Sequence, residues 1–476
     1  MRKSVTPLYD ALYLFLTLRE RTFTLVMDTS CIQFSDEDLR KVMSLKYIGD
    51  WLLPKNCYCE IRQLCRSKIF GKRAENFLKY KEEKTPEIIL ASNMEDFYGE
   101  QSQLCGRAKS ENEDFVFLFA DKMKLREFLE HVKIKENYFV FYTKRWDFSS
   151  RQPDIDQYGR IMTVKDAIDR LAELFSKKES ISMYKIGEGK EPNIVVTEKD
   201  RLIGVNKSGS ECIYSLGEEI ARGGESVVYE ERDHPNILLK IYKSSFSNHK
   251  VQKIKHLMQM KKEFPYLVIP TEILYKEKLP VGIAMKKVRG VSLKSILCSG
   301  SGIETEIGRK MALYLLELRL SNIYVVDLSP ANIFITKKGD VRFIDTDSLQ
   351  LGNFASGVKP INDYTHPELV GKNILLYDPM HESFAYSVLL FQLLMSTEYH
   401  PLFQISDHID FSENVVYYGK IKFPYNDDIY NQRVNENINR IWCEQPSQVR
   451  QFFKEQMNFE KNYSLGVWID LIEKNY

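Results

Sequence analysis

Between Val325 and Asp347 the chain carries three oxygen-bearing side chains at a spacing that could hold a metal–phosphate complex. Asp327 and Asn332 share one loop after an apolar helical run, and Asp345 ends a strand farther on. The β-type runs Ile333–Thr336 and Val341–Ile344 flank the turn Lys337-Lys338-Gly339-Asp340, which predicts a hairpin. Two oxygen-rich loops held side by side by a rigid hairpin suit a hard divalent cation bound to phosphates. The alternative is an ordinary hairpin with solvated turn carboxylates, and the surrounding chain must decide between them.

Upstream, LGEEIARGGESVVYE reads as a strand, a Gly-Gly turn and a second strand from Ser226. Gly223 and Gly224 let the backbone approach a phosphate with no Cβ in the way, although most such turns merely connect strands. The strand Ile237–Tyr242 follows with one lysine, Lys240, among apolar neighbours. A buried-side ammonium needs an anion, unless it snorkels from a strand edge. Glycine turn, strand lysine, helical segment, Asp-x-x-x-x-Asn and a further Asp follow in an order that resembles the catalytic core of protein kinases.

That resemblance spans about residues 216–476 and implies a bilobal α+β domain. It implies that Asp327 accepts the substrate hydroxyl proton and that Asn332 and Asp345 hold Mg²⁺. Lys240 would position the ATP phosphates under Gly223 and Gly224. His366-Pro367-Glu368 looks like the triplet that closes a kinase activation segment, with Glu368 structural, and ESFAYSVLLFQLL resembles the buried helix of the large lobe. The compact glycine turn and the Asp-Thr-Asp triplet look most like bacterial Ser/Thr kinases of stress or conflict operons. A protein phosphoacceptor is implied.

Departures from the kinase pattern are specific. Val325-Val326 replace His-Arg before Asp327, which removes the arginine that reads a phosphorylated activation loop. Ser329 stands where a lysine is usual, Thr346-Asp347 replace Phe-Gly, and Glu382 takes the place of a buried Asp. The helical segment after Lys240 has no acid before Glu263, so the usual lysine–glutamate pair has no evident partner. Gln252, Gln259 and Glu263 are the candidates to replace it.

The first third of the chain alternates strand-like runs (TFTLVM, LLP, EIILAS, FVFLFA, YFVFYT) with helical stretches, which predicts a parallel sheet covered on both faces. Acids fall at strand ends or first turns: Asp28, Glu60, Glu100 and Asp121, with Asp96 as a spare. A carboxylate at the end of a buried strand is where open α/β sheets place ligand sites. Taken singly, each acid is better explained as a cap or a solvated helix face. In this order they resemble the PIN-like nucleases, in which clustered carboxylates hold Mg²⁺ or Mn²⁺ to activate water against a phosphodiester. RNA or DNA would then be a partner. A von Willebrand-type metal site fits less well, because Ile32 stands where its last serine belongs.

Composition sets the frame. At 476 residues the chain exceeds one core, and 43% hydrophobic with 28% charged residues describes a folded globular protein. A net charge of +1 gives no bulk electrostatic argument for a polyanion partner. The 8 cysteines are scattered, and the close trio Cys57, Cys59 and Cys65 lacks a second ligand pair, so buried thiols are expected rather than zinc. The apolar runs near Ala11 and Phe384 fall short of the ~18 residues that span a bilayer. Arg19 ends the first with no cleavage site, so neither a signal peptide nor a membrane partner is expected, and the cytoplasm is the default compartment.

The expected organisation is a PIN-like α/β domain over 1–145, a linker with one helix over 146–205, and a kinase-like domain over 206–476. Its small lobe would cover about 206–290 and its large lobe about 291–476. Two functions fit. One is an ATP-dependent Ser/Thr kinase fused to a Mg²⁺- or Mn²⁺-dependent ribonuclease, of a bacterial defence or toxin type. The other is a nucleotide-binding pseudokinase joined to a degenerate nuclease-like docking domain.

Overall fold

The computed structural model describes residues 23–34, 39–40, 42, 48–83, 88–90, 114–120, 125, 128, 138–142, 160–163, 195–243, 248–260, 264–297, 304–321, 323–351, 364–366, 379–402, 423–425 and 435–476. The first sheet is built from β1 (Phe23–Met27), β2 (Ile48–Leu53), β3 (Ile88–Leu90), β4 (Asp114–Phe119), β5 (Tyr138–Tyr142) and β6 (Arg160–Thr163), in the order β3-β2-β1-β4-β5-β6. All neighbours pair parallel except β5 and β6, which are antiparallel. Central strand β4 is buried on both faces, from Phe115 to Phe119, which is why it reads as an unbroken apolar run rather than an alternating one. Helices α1 (Lys55–Leu64) and α2 (Gly71–Glu83) follow β2. The sheet takes β6 from the stretch expected to be linker, because Arg160–Thr163 can add to an open edge.

A second unit begins at β7 (Arg201–Asn206), ahead of the expected small-lobe boundary. With β8 (Glu211–Arg222), β9 (Ser226–Glu231), β10 (Ile237–Tyr242), β11 (Glu272–Lys276) and β12 (Leu279–Lys286), β7 closes an antiparallel barrel. Its interior is filled by Leu202, Tyr214, Leu216, Leu239, Leu274 and Ala284. Helix α3 (Asn248–Met260) lies outside the barrel, with Val251, Ile254 and Met258 packed on Tyr242, Ile273, Ile283 and Met285. Gly282 lets β12 approach β10 closely, since a Cβ there would sit 2.4 Å from the carbonyl oxygen of Lys240.

The helical unit carries β13 (Gly290–Ser292), α4 (Leu293–Leu297), α5 (Glu304–Leu320), β14 (Ile323–Tyr324), β15 (Ile333–Thr336), β16 (Val341–Phe343), β17 (Gln350–Leu351), α6 (Pro379–Leu394), α7 (Glu436–Glu444), α8 (Ser447–Met457) and α9 (Leu465–Asn475). The expected hairpin is β15–β16, joined at Gly339 with φ +73°. Its outer neighbour is β13. Buried Phe391, Phe423, Tyr425, Trp442, Phe453 and Trp468 form an aromatic core between α6, α7, α8 and α9.

The first sheet and the helical unit share one hydrophobic core. Helix α1 packs on α9, and a Cβ on Gly466 would meet the backbone nitrogen of Glu60 at 2.7 Å. Gln63 donates to Glu473 at 2.9 Å, Arg62 pairs with Asp470 at 3.4 Å, and Gln33 donates to the Leu320 carbonyl at 3.0 Å. Cys57 and Cys59 are buried free thiols beside this contact, and burial pushes the Cys59 thiol up to about 12. Replacing Gly466 by valine should therefore wedge α9 from α1. A stability loss of about 1–3 kcal/mol in urea unfolding is expected from overpacking of this kind.

Candidate phosphotransfer site

Strand β10 presents Lys240 and Tyr242 on one side, because alternate strand residues share a face. Across from them, the chain leaving β16 turns sharply at Asp345, whose φ of +58° is left-handed. Few residues other than glycine adopt that conformation, and Asp is among the more tolerant. Ser348 holds the turn with its backbone NH at 3.0 Å and its hydroxyl at 2.7 Å, both donating to the Asp345 carbonyl. Ile344 donates to the Asn332 carbonyl at 2.9 Å, which ties the Asp327–Asn332 loop to the Asp345 turn.

Lys240 donates to Asp345 and, at 2.8 Å, to Asp347. Asp347 also accepts from the Tyr242 hydroxyl at 2.5 Å, and its backbone carbonyl accepts from the Lys253 ammonium at 2.7 Å. Lys250 lies 3.7 Å from the same carboxylate and 3.6 Å above the Tyr242 ring centroid. Burial alone would lower the Lys240 pKa, but Asp347 and Asp345 outweigh it and hold the ammonium above the usual lysine range. Burial and the neighbouring Asp347 charge push Asp345 up. Asp347 moves the other way: its burial penalty is overcome by Lys240 and Lys250. Lys253 is almost fully buried, and that burial brings it down to about 7.

In the second loop, the Asn332 amide donates to the Asp327 carboxylate at 2.9 Å and to its carbonyl at 3.1 Å. The amide's NH₂ is thus committed to Asp327, which leaves its oxygen as the donor available to a cation. Glu382, fully buried on α6, accepts from the Val325 backbone NH at 3.1 Å and pairs with Arg319 of α5 at 3.1 Å. This buried pair pins the backbone just before Asp327. Cutting it by Glu382→Ala strands the Arg319 charge, and a loss of about 3–5 kcal/mol in denaturant unfolding is expected.

Gly223 and Gly224 lie in the exposed turn between β8 and β9, next to β10. Lys243 donates to the Gly223 carbonyl at 2.5 Å, and a Cβ on Gly224 would meet nothing within 4 Å. Neither glycine has a positive φ, so local backbone strain does not explain the pair.

The structure therefore gathers Lys240 with Asp345 and Asp327 with Asn332. It also brings in residues that sequence reasoning did not assign to the site: Asp347, Tyr242, Lys250 and Lys253. Of the expected substitutes for the helix acid, Gln252 and Gln259 are exposed on α3, and Glu263 lies outside the described residues. The partner of Lys240 is instead on the loop after β16. A signal was present in the sequence: a helix with lysines three apart and no acid faces a loop with two acids two apart.

In the first sheet, Asp28 ends β1 and caps the short 3-10 turn Thr29–Gln33 by accepting from the Ser30 backbone at 3.0 Å. Glu60 on α1 accepts from the Thr29 hydroxyl at 2.5 Å. Both carboxylates are buried, at 4% and 2% exposure. Glu100, Asp121 and Asp96 lie outside the described residues, as do Pro367 and Glu368. Among the described residues, no group of three or more His, Cys, Asp or Glu is arranged to hold a metal, and no helix is long and apolar enough to cross a membrane.

No protein-family model matches the chain, and no curated protein does. Solved structures similar to it include the ROP18 kinase domain in complex with AMP-PNP and sucrose, at a TM-score of 0.37 and 12% identity, over 58% of this chain and 84% of that one.

Proposed function

We propose that the barrel and the helical unit form a kinase-like phosphotransferase that takes Mg²⁺-ATP and phosphorylates a Ser or Thr hydroxyl of a protein. The observation that carries this reading is the meeting of the β10 lysine with the carboxylate that follows the β15–β16 hairpin. A buried cation and two carboxylates on separate elements would be costly to assemble for stability alone. The donor set fits a hard cation: the Asp345 carboxylate and the Asn332 amide oxygen would hold Mg²⁺. When bound, Mg²⁺ neutralises the charge on the phosphate oxygens. Lys240 would hold the nucleotide phosphates beneath the Gly223-Gly224 turn. Asp327, fixed by Asn332, would accept the proton of the attacking hydroxyl. Val325 and Val326 make control by activation-loop phosphate an unsuitable switch for this site.

The test is transfer from labelled Mg²⁺-ATP to the protein itself or to a generic acceptor. Asp327→Ala should lower transfer by about 10²-fold or more while nucleotide still binds. Asp345→Ala should remove the Mg²⁺ dependence of binding. Turnover unchanged by Asp327→Ala would sink the reading. Mg²⁺-ATP binding without any transfer by the unsubstituted protein would favour a pseudokinase.

For the first sheet we infer a PIN-like, Mg²⁺- or Mn²⁺-dependent nuclease unit acting on RNA, and the pairing with a kinase suits a defence or toxin-type effector. The supporting observation is the Thr29–Glu60 hydrogen bond, which brings the α1 carboxylate to the turn capped by Asp28. Asp28→Asn should abolish Mn²⁺-dependent cleavage of labelled RNA. Cleavage at the unsubstituted rate would contradict the assignment and leave a docking domain.

A further inference from the structure

Lys240 has two carboxylate partners, and a phosphotransfer site cannot leave both of them on it. Once Asp345 turns to a cation, the lysine needs another fixed counter-charge, or it follows the phosphates and loses its position. The described residues of α3 offer no acid: the helix runs Asn248–Met260, and its inward lysines point the same sign of charge at the site.

We propose that Asp347 is the positioning residue for Lys240, and that by gathering Lys250 and Lys253 around itself it also docks α3 on the site. This rests on the phosphotransferase reading above. Four observations converge on the one side chain. Asp347 is buried at 7% exposure, bonded to Lys240 at 2.8 Å and to Tyr242 at 2.5 Å, and faced by Lys250 at 3.7 Å. Its backbone takes the Lys253 ammonium, so both its side chain and its main chain are engaged from α3 and β10. The turn that presents it is fixed independently: Thr346 donates through its hydroxyl to the Val268 carbonyl at 2.9 Å, and the Ser348 hydroxyl donates to the Asp345 carbonyl at 2.7 Å.

The arrangement inverts the usual distribution of charge: the acid sits on the loop after β16 and the cations sit on the helix. Lys240 and Lys250 face the Asp347 carboxylate while Lys253 bonds to its backbone, so the amines gather where an anionic phosphate would come. Asp347 acts through Lys240 and does not itself need to touch nucleotide. The Tyr242 hydroxyl holds the Asp347 carboxylate and the Lys253 ammonium holds its backbone, so Asp347 would stay on Lys240 if Asp345 were to bind a cation.

The experiment compares full-length protein with Asp347→Asn, Asp347→Glu and Lys240→Met, measuring Mg²⁺-ATP binding by calorimetry and KM and kcat for phosphate transfer. Asp347→Asn is expected to raise the Mg²⁺-ATP Kd and KM about tenfold or more, as expected for loss of a hydrogen bond to a charged group. Asp347→Glu is expected to recover most of that loss, which a purely structural role would not grant to a longer side chain in a packed site. A KM within about twofold of the unsubstituted value in Asp347→Asn, with Lys240→Met strongly impaired, overturns this proposal and spares the phosphotransferase reading. Unsubstituted protein that neither binds nor consumes Mg²⁺-ATP overturns both. Should Asp347→Asn fail to fold, Tyr242→Phe carries the test, since it removes one hydrogen bond to the same carboxylate and no charge. KM should then rise about two- to fivefold, and an unchanged KM overturns the proposal.

Discussion

A buried cluster of charge, with Lys240 between Asp345 and Asp347, joins a strand and the helix that follows it to a loop about a hundred residues farther on. β10 supplies the cation, the loop after β16 supplies both anions, and α3 closes the set with Lys250 and Lys253. Desolvating so many charges is unfavourable unless each is matched, and here each bond satisfies part of another's requirement. The barrel orients Lys240, the hairpin delivers Asp345, and the left-handed turn at Asp345 carries Asp347 back beneath the lysine. Remove Lys240 and both carboxylates lose the cation that lies between them.

A second constraint acts on the other loop. Glu382 and Arg319, buried together between α5 and α6, hold the Val325 backbone, and the Asn332 amide holds Asp327. The two loops meet through the Ile344–Asn332 hydrogen bond, so the Asp327–Asn332 loop and the Asp345 turn share one frame. The same helical unit reaches the first sheet. Gly466 of α9 lies against the backbone of Glu60, whose side chain meets the turn capped by Asp28. A shift of α9 would bear directly on Glu60.

Much of this frame is legible in the sequence because periodicity and turn chemistry are local. The β15–β16 hairpin follows from its β-branched runs and the Gly339 turn, and the parallel sheet follows from short apolar runs alternating with helices. The limits are also physical. Arg160–Thr163 joins the sheet as an antiparallel edge strand, a pairing that depends on which edge is open and not on the segment's own residues. The closing of the barrel by β7 has the same cause. Asp347 was visible only as a departure from a familiar triplet, since its meaning comes from lysines on a helix about a hundred residues earlier. Glu60 gave no sign that its backbone would be pressed against a C-terminal helix.

The most direct measurement is calorimetric titration of the full-length protein with ATP, with and without Mg²⁺, repeated on Lys240→Met. The account predicts saturable, Mg²⁺-dependent binding that is lost when the Lys240 charge is removed. Equal affinity in both proteins, or no binding in either, would contradict it.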